Sequence, residues 1–107
     1  MPPGKLASQA GHAFLGAFLQ CLDHERLRQY HADFPASPGT KICLAARNLD
    51  QLLRAEQAAR SASLGVFRVV DSGCQNFFGG RPVITALGFG PATRNEVAHI
   101  TRKLQLL

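Results

Sequence analysis

The sequence predicts an α/β fold built around a strand, helix, strand unit. Three observations carry that expectation. Segments with apolar residues at helical spacing alternate with short β-branched runs. The run 41–46, the helical stretch beginning at 48 and the run 65–70 follow one another at the spacing of a right-handed parallel crossover. The chain has 107 residues, 46% hydrophobic and 18% charged, which suits one globular domain spanning 1–107 with no room for a second.

The elements follow in order. Residues 4–22 carry Leu6, Ala10, Ala13, Phe14, Ala17, Phe18 and Cys21 as an apolar stripe, which predicts a helix packed by that stripe. "DHERLRQY", 23–30, reads as a charged continuation of it, and "DFPASPGT" as a loop. "KICLAA", 41–46, fits a short buried strand. Asn48 with Gln51 forms a capping box ahead of Leu49, Leu52, Leu53 and Leu64, giving a second helix. "GVFRVV", 65–70, is a β-branched and aromatic strand that ends at Asp71 and runs into the turn-prone "DSGCQNFFGGRP". "VITALGFG", 83–90, is another strand, and "PATRNEVAHITRKL" opens a last helix with the box Thr93 and Glu96.

Twelve Lys and Arg against seven Asp and Glu give a net charge of +5. That modest basic excess favours a polyanion such as RNA, although no dense basic run is present. Cys21, Cys43 and Cys74 are odd in number and lack framework spacing, so the reading expects reduced thiols, with neither a disulfide scaffold nor a zinc site. His24 and His31, with Asp23 and Asp33 nearby, match no compact metal spacing and are expected to face solvent. The apolar stretch from Ala13 to Leu22 is too short to cross a bilayer and has no basic leader, so the expected location is cytoplasmic, away from membranes.

Within "GKLASQAGHA", Lys5, Gln9 and His12 recur at steps of four and three, which places them along one helical ridge beside the apolar stripe. Lys5 lies in the first turn, where the helix dipole disfavours a cation, so stability offers no reason for it. Asp71 stands at the carboxyl end of a strand, the position where ligands collect on parallel α/β sheets. Each residue also has an ordinary reading: a solvated lysine and glutamine, a hydrogen-bonded rim histidine, a turn-forming aspartate. Cys74, three residues past Asp71, invites a nucleophilic arrangement with His12, and nothing in the sequence brings the two together.

Four separated blocks, "PGKLASQAGHA", "VVDSG", "VITALGFGP" and "ITRKLQLL", resemble the class 2 peptidyl-tRNA hydrolase family in order and spacing from Pro3 to Leu107. The resemblance implies a three-layer α/β/α sandwich on a small mixed sheet, a homodimer, and hydrolysis of the ester joining a peptide to tRNA, with no metal or organic cofactor. It assigns the family's lysine, glutamine, histidine and aspartate to Lys5, Gln9, His12 and Asp71, and proposes Arg81, Arg94, Arg102 and Lys103 for the tRNA backbone. Cys74 and Gln75 stand where the family carries an arginine or histidine and a threonine, and Gly79 where it carries a proline, so Gln75 is the candidate in the threonine's place. Family members begin with a strand before the first helix, whereas "MPPGK" matches the turn that follows it. The expectation is an open slot in the sheet, filled by assembly or by residues upstream of Met1. Two alternatives stay open: a non-catalytic relative that binds tRNA or protein, and a hydrolase using Cys74.

Overall fold

The computed structural model describes residues 2–71 and 83–107. Its elements are α1 (Pro3–Gln20), α2 (His24–Asp33), β1 (Leu44–Ala45), α3 (Leu49–Ser61), β2 (Val66–Asp71), β3 (Val83–Phe89), α4 (Arg94–Thr101) and β4 (Gln105–Leu106). This is a small α/β fold.

The charged stretch after α1 is a separate helix. Asp23 has extended backbone, φ −85° and ψ 98°, and its carboxylate accepts a 3.0 Å hydrogen bond from the Arg26 amide, so it stops one helix and caps the next. At α3, Asn48 accepts from the Gln51 amide at 2.8 Å, but the Gln51 side chain reaches back to the Arg47 amide at 2.7 Å, closing the box one residue early. At α4 the box is complete: Glu96 N–H donates to Thr93 Oγ1, and Thr93 N–H donates to Glu96 Oε1.

β2 and β3 form an antiparallel hairpin running from the pair Val66 and Phe89 to the pair Asp71 and Val83. β1 pairs antiparallel with β4, Leu44 opposite Leu106 and Ala45 opposite Gln105. The expected parallel crossover between the runs 41–46 and 65–70 is therefore absent among the described residues, where both sheets are two-stranded and antiparallel. β4 takes the pairing edge of β1; two residues are too few to leave a period-two signature, so the tail of the chain reads as the end of the last helix.

The hairpin is covered on both faces. On one, Ala55, Ala59, Leu64, Val66 and Ile100 form a buried cluster with Leu87, Phe89 and Val97 packed against it, joining α3 and α4 to the strands. On the other lies α1, whose buried line is Gln9, Ala13, Gly16, Ala17 and Cys21; Leu6, Ala10, Phe14 and Phe18 are only half-buried. The correction to the predicted stripe has a geometric cause. Small residues let backbones approach: a methyl on Gly88 would overlap the Ala13 carbonyl, and one on Gly65 would overlap the Ala17 carbonyl.

Two ion clusters brace the layers. Glu56, only 5% exposed, accepts from Arg68 Nε and Nη2 and from Arg60 Nη2, and the Arg68 contact is the main cause of a carboxyl held below its usual range. α2, which buries no residue, is tied down by Arg26: its Nη1 donates to Glu96 Oε1 at 2.7 Å and to the Pro91 carbonyl at 3.2 Å. Phe18 adds ring contacts with Tyr30 and His31 at 5.8 and 6.3 Å between centroids.

The Arg26 hydrogen bond, with help from Thr93, pulls the Glu96 carboxyl from 4.5 down to about 2. A depressed carboxyl contributes stability that is fully present above its unfolded value and is lost as pH falls through the folded one. The melting temperature should thus drop on acidification from pH 4.5 towards 2. In Arg26→Ala, calorimetry should find that acid limb shallower; an identical limb would remove the pair as its cause.

Candidate functional site

The register of α1 on the hairpin decides which candidate residues can meet. Ala13 backs onto Gly88, the partner of Phe67; Gly16 sits on the Phe67 ring; Ala17 touches Gly65. Gln9 reaches Thr85, whose hydroxyl also lies 3.3 Å from the Val69 carbonyl. Moving from residue 9 to 17 along α1, about 12 Å at 1.5 Å per residue, runs back along β2 from 69 to 65, about 13 Å at 3.3 Å per residue. Helix and strand are antiparallel. Lys5, one turn before Gln9, and Asp71, two residues beyond Val69, therefore lie at the same end of the α1 and hairpin layers, each about 6 Å further along its own backbone.

Among the predicted residues, Lys5 is exposed in the first turn and Gln9 is buried at 8% exposure against β3. His12 is exposed and turns to an apolar groove of about 200 Å³ that it lines with Leu15, Gly16, Leu19 and Phe67. The ridge 5, 9, 12, 16, 19 is thus polar at its start and apolar at its end, where Leu19 and the neighbouring Leu15 expose 67 and 61% of their surface. Asp71 closes β2 opposite Val83. Cys74, Gln75, Gly79 and Arg81 lie outside the described residues.

The remaining basic candidates are not brought to Lys5. Arg94 opens α4, and Arg102 and Lys103 follow it; all three are exposed on the layer across the hairpin from α1, where the Lys103 carbonyl accepts from Gln51. His24 and His31 are exposed, as expected. Among the described residues, no three His, Cys, Asp or Glu side chains are placed to hold a metal ion, and no helix is long and apolar enough to cross a membrane. Cys21 and Cys43 are free thiols.

A larger cleft, about 410 Å³ between α2 and the start of α4, is lined by Asp23, Glu25, Asp33 and Glu96 with Arg26 as its cation. Its carboxylates repel phosphate, and Arg26 is committed to Glu96. Size alone therefore does not make this cleft the candidate site.

Sequence reasoning missed Thr85. Ala86 pairs with Val69 and Ile84 with Val70, so Thr85 is the extra residue of a β-bulge, without a cross-strand partner. In regular alternation it would share the face of Leu87 and Phe89, towards α3; the bulge turns it to α1, where its hydroxyl donates to Gln9 Oε1. Nothing in "VITALGFG" marks that extra residue.

The chain is a small α/β fold in which Lys5 and the end of β2 lie towards the same end of α1 and the hairpin, and comparison with known proteins gives its family. The family described as Peptidyl-tRNA hydrolase PTH2 matches residues 1–107. A peptidyl-tRNA hydrolase of Methanothermobacter thermautotrophicus is 31% identical over 107 residues, 100% of this chain and 89% of its own length. One from Methanopyrus kandleri is 33% identical, covering 97% of this chain and 85% of the relative; one from Saccharolobus islandicus is 28% identical, covering 100% and 89%. The chain belongs to the peptidyl-tRNA hydrolase PTH2 family.

Proposed function

We propose that this chain hydrolyses the ester between a peptide and tRNA, releasing both, with Lys5, Gln9, His12, Asp71 and Gln75 as the working residues. The observation that carries the reading is the shared register: Lys5 and the end of β2 at Asp71 lie towards the same end of the α1 and hairpin layers, one step beyond the level of Gln9, in a chain that matches the family along its whole length.

Ester hydrolysis needs a water made nucleophilic and a developing oxyanion held in place. Asp71 takes or orients the proton of the attacking water. Lys5 holds the oxyanion or the neighbouring phosphate, and Gln9 holds the ribose or the ester oxygen. Gln75 replaces a hydroxyl with an amide, which can both donate and accept. Arg81, Arg94, Arg102 and Lys103 would meet backbone phosphates rather than bases. In the same reading the protein works in the cytoplasm, where its substrate arises, and assembles as a homodimer, which the exposed leucines of α1 support.

Turnover of an N-blocked aminoacyl-tRNA such as diacetyl-lysyl-tRNA tests the proposal, with binding of deacylated tRNA measured beside it. Release of free tRNA supports the hydrolase; binding without release replaces it by the non-catalytic relative. With a net charge of +5, affinity should fall as salt rises, with a shallow slope set by few phosphate contacts. Affinity unchanged with salt would remove backbone phosphates from the account.

A further inference from the structure

We infer that Arg47 binds tRNA backbone phosphate, at a cationic corner that it forms with Arg102 and Lys103 at the same end of the fold as Lys5 and the close of β2. The inference rests on the hydrolase reading and names where the nucleic acid of its substrate lies.

Three observations carry it. The ladder of β1 and β4 pairs Leu44 with Leu106 and Ala45 with Gln105, and its register, continued by two residues, brings Arg47 opposite Lys103. Gln51 clips the two together: its Oε1 accepts from the Arg47 amide at 2.7 Å, and its Nε2 donates to the Lys103 carbonyl at 3.1 Å. Next, these cations are not neutralised. Arg26, Arg28, Arg54, Arg60 and Arg68 each hold a carboxylate, whereas the exposed side chains at the corner hold none among the described residues. The nearest carboxylate along the chain, Asp50, is answered by Arg54 at 2.9 Å.

The third observation is direction. Leu64, just ahead of β2, donates its N–H to the Ala59 carbonyl, while Glu56, nearer the start of α3, meets Arg68 inside the strand. Helix and strand are therefore antiparallel. Each spans about 20 Å, so α3 starts at the level where β2 ends at Asp71. α1 reaches that end from the other face of the hairpin. The acidic cleft beside the start of α4 lies at the opposite end, where Phe89 pairs with Val66.

Phosphate is the ligand that this corner suits. Guanidinium groups grip it with paired N–H donors, ammonium adds a point charge, and contacts to the backbone carry no base information. A tRNA whose ester lies at the Lys5 and Asp71 end carries its nearest phosphates past the same end of the hairpin, where the corner meets them. Arg94, at the far end of α4, is outside it.

Titration of deacylated tRNA at several salt concentrations tests the assignment. Arg47→Ala should raise Kd about three- to tenfold and flatten the salt slope by about one, with kcat on diacetyl-lysyl-tRNA within about twofold of wild type. Alanine keeps the backbone amide that Gln51 holds, so the fold is retained. Arg28→Ala, an equal loss of charge on α2, should leave Kd and slope unchanged. A wild-type Kd and slope in Arg47→Ala, or the same loss in Arg28→Ala, would overturn the inference, and turnover by the wild-type chain would leave the hydrolase reading standing. Binding that depends on Arg47 in a chain without turnover would sink that reading and keep the corner. A wild-type chain with neither binding nor turnover overturns both.

Discussion

Asp71→Asn and Lys5→Ala should each lower kcat by about 10² to 10⁴, the range removed with a general base or an oxyanion partner. Asp71→Asn keeps the shape and the hydrogen-bonding reach of the side chain while discarding its charge, so a lost rate reports chemistry. Lys5 sits exposed in the first turn of α1, so the melting temperature of Lys5→Ala is measured beside its rate. A rate that falls by more than the loss of folded protein is a separation that a purely structural residue cannot produce. Single-turnover rates at saturating enzyme check it, since they isolate the chemical step from tRNA binding. Wild-type rates in both variants would move the site away from this end of the hairpin.

The largest change in stability should come from Gly88→Ala. A methyl there meets the carbonyl group of Ala13, backbone against backbone, with no flexible side chain to give way. α1 must lift from β3, at a cost of about 3 kcal/mol for an overpacked contact. Gly11→Ala is the matched control on the same helix. Nothing lies within 4 Å of the added methyl, so the change only improves helix propensity and should add up to about 1 kcal/mol. Urea denaturation of the two variants should therefore move in opposite directions; equal midpoints would mean that the α1 seam is looser than its geometry.

What could be read in advance was what neighbouring residues decide together. The caps at Asn48 and Thr93, the hairpin strands and the ridge of Lys5, Gln9 and His12 all depend on intervals of a few residues. The break at Asp23 is equally local, yet it was hidden because a capping aspartate inside a charged run looks like one more helical charge. Strand pairing was not legible: β1 takes a partner some sixty residues away, chosen by the whole fold. The buried line of α1 was misjudged because residue hydrophobicity ranks Leu6 above Gly16, whereas close backbone approach ranks them the other way. The burial of Glu56 has no local signature, because it depends on Arg68, from a strand, and Arg60 closing over it. In the candidate site, the type and spacing of Lys5, Gln9 and His12 were visible, but the register shift that brings Thr85 to Gln9 was not. A bulge is a change of register, invisible until two strands are laid side by side.

The attachment of α2 implies an order of events when the protein opens. The helix buries no residue, and its fastening combines one guanidinium on Glu96 and Pro91 with a small group of rings around Phe18. The seam between α1 and the hairpin and the cluster around Ala59 form without it. α2 is thus a separate foldon: its amides exchange with solvent through a local excursion that leaves the hairpin closed, at a free energy below that of global unfolding. Acid that protonates Glu96 weakens that fastening, so unfolding begins at α2, beyond the C-terminal end of α1, whereas Lys5 lies in the first turn of that helix.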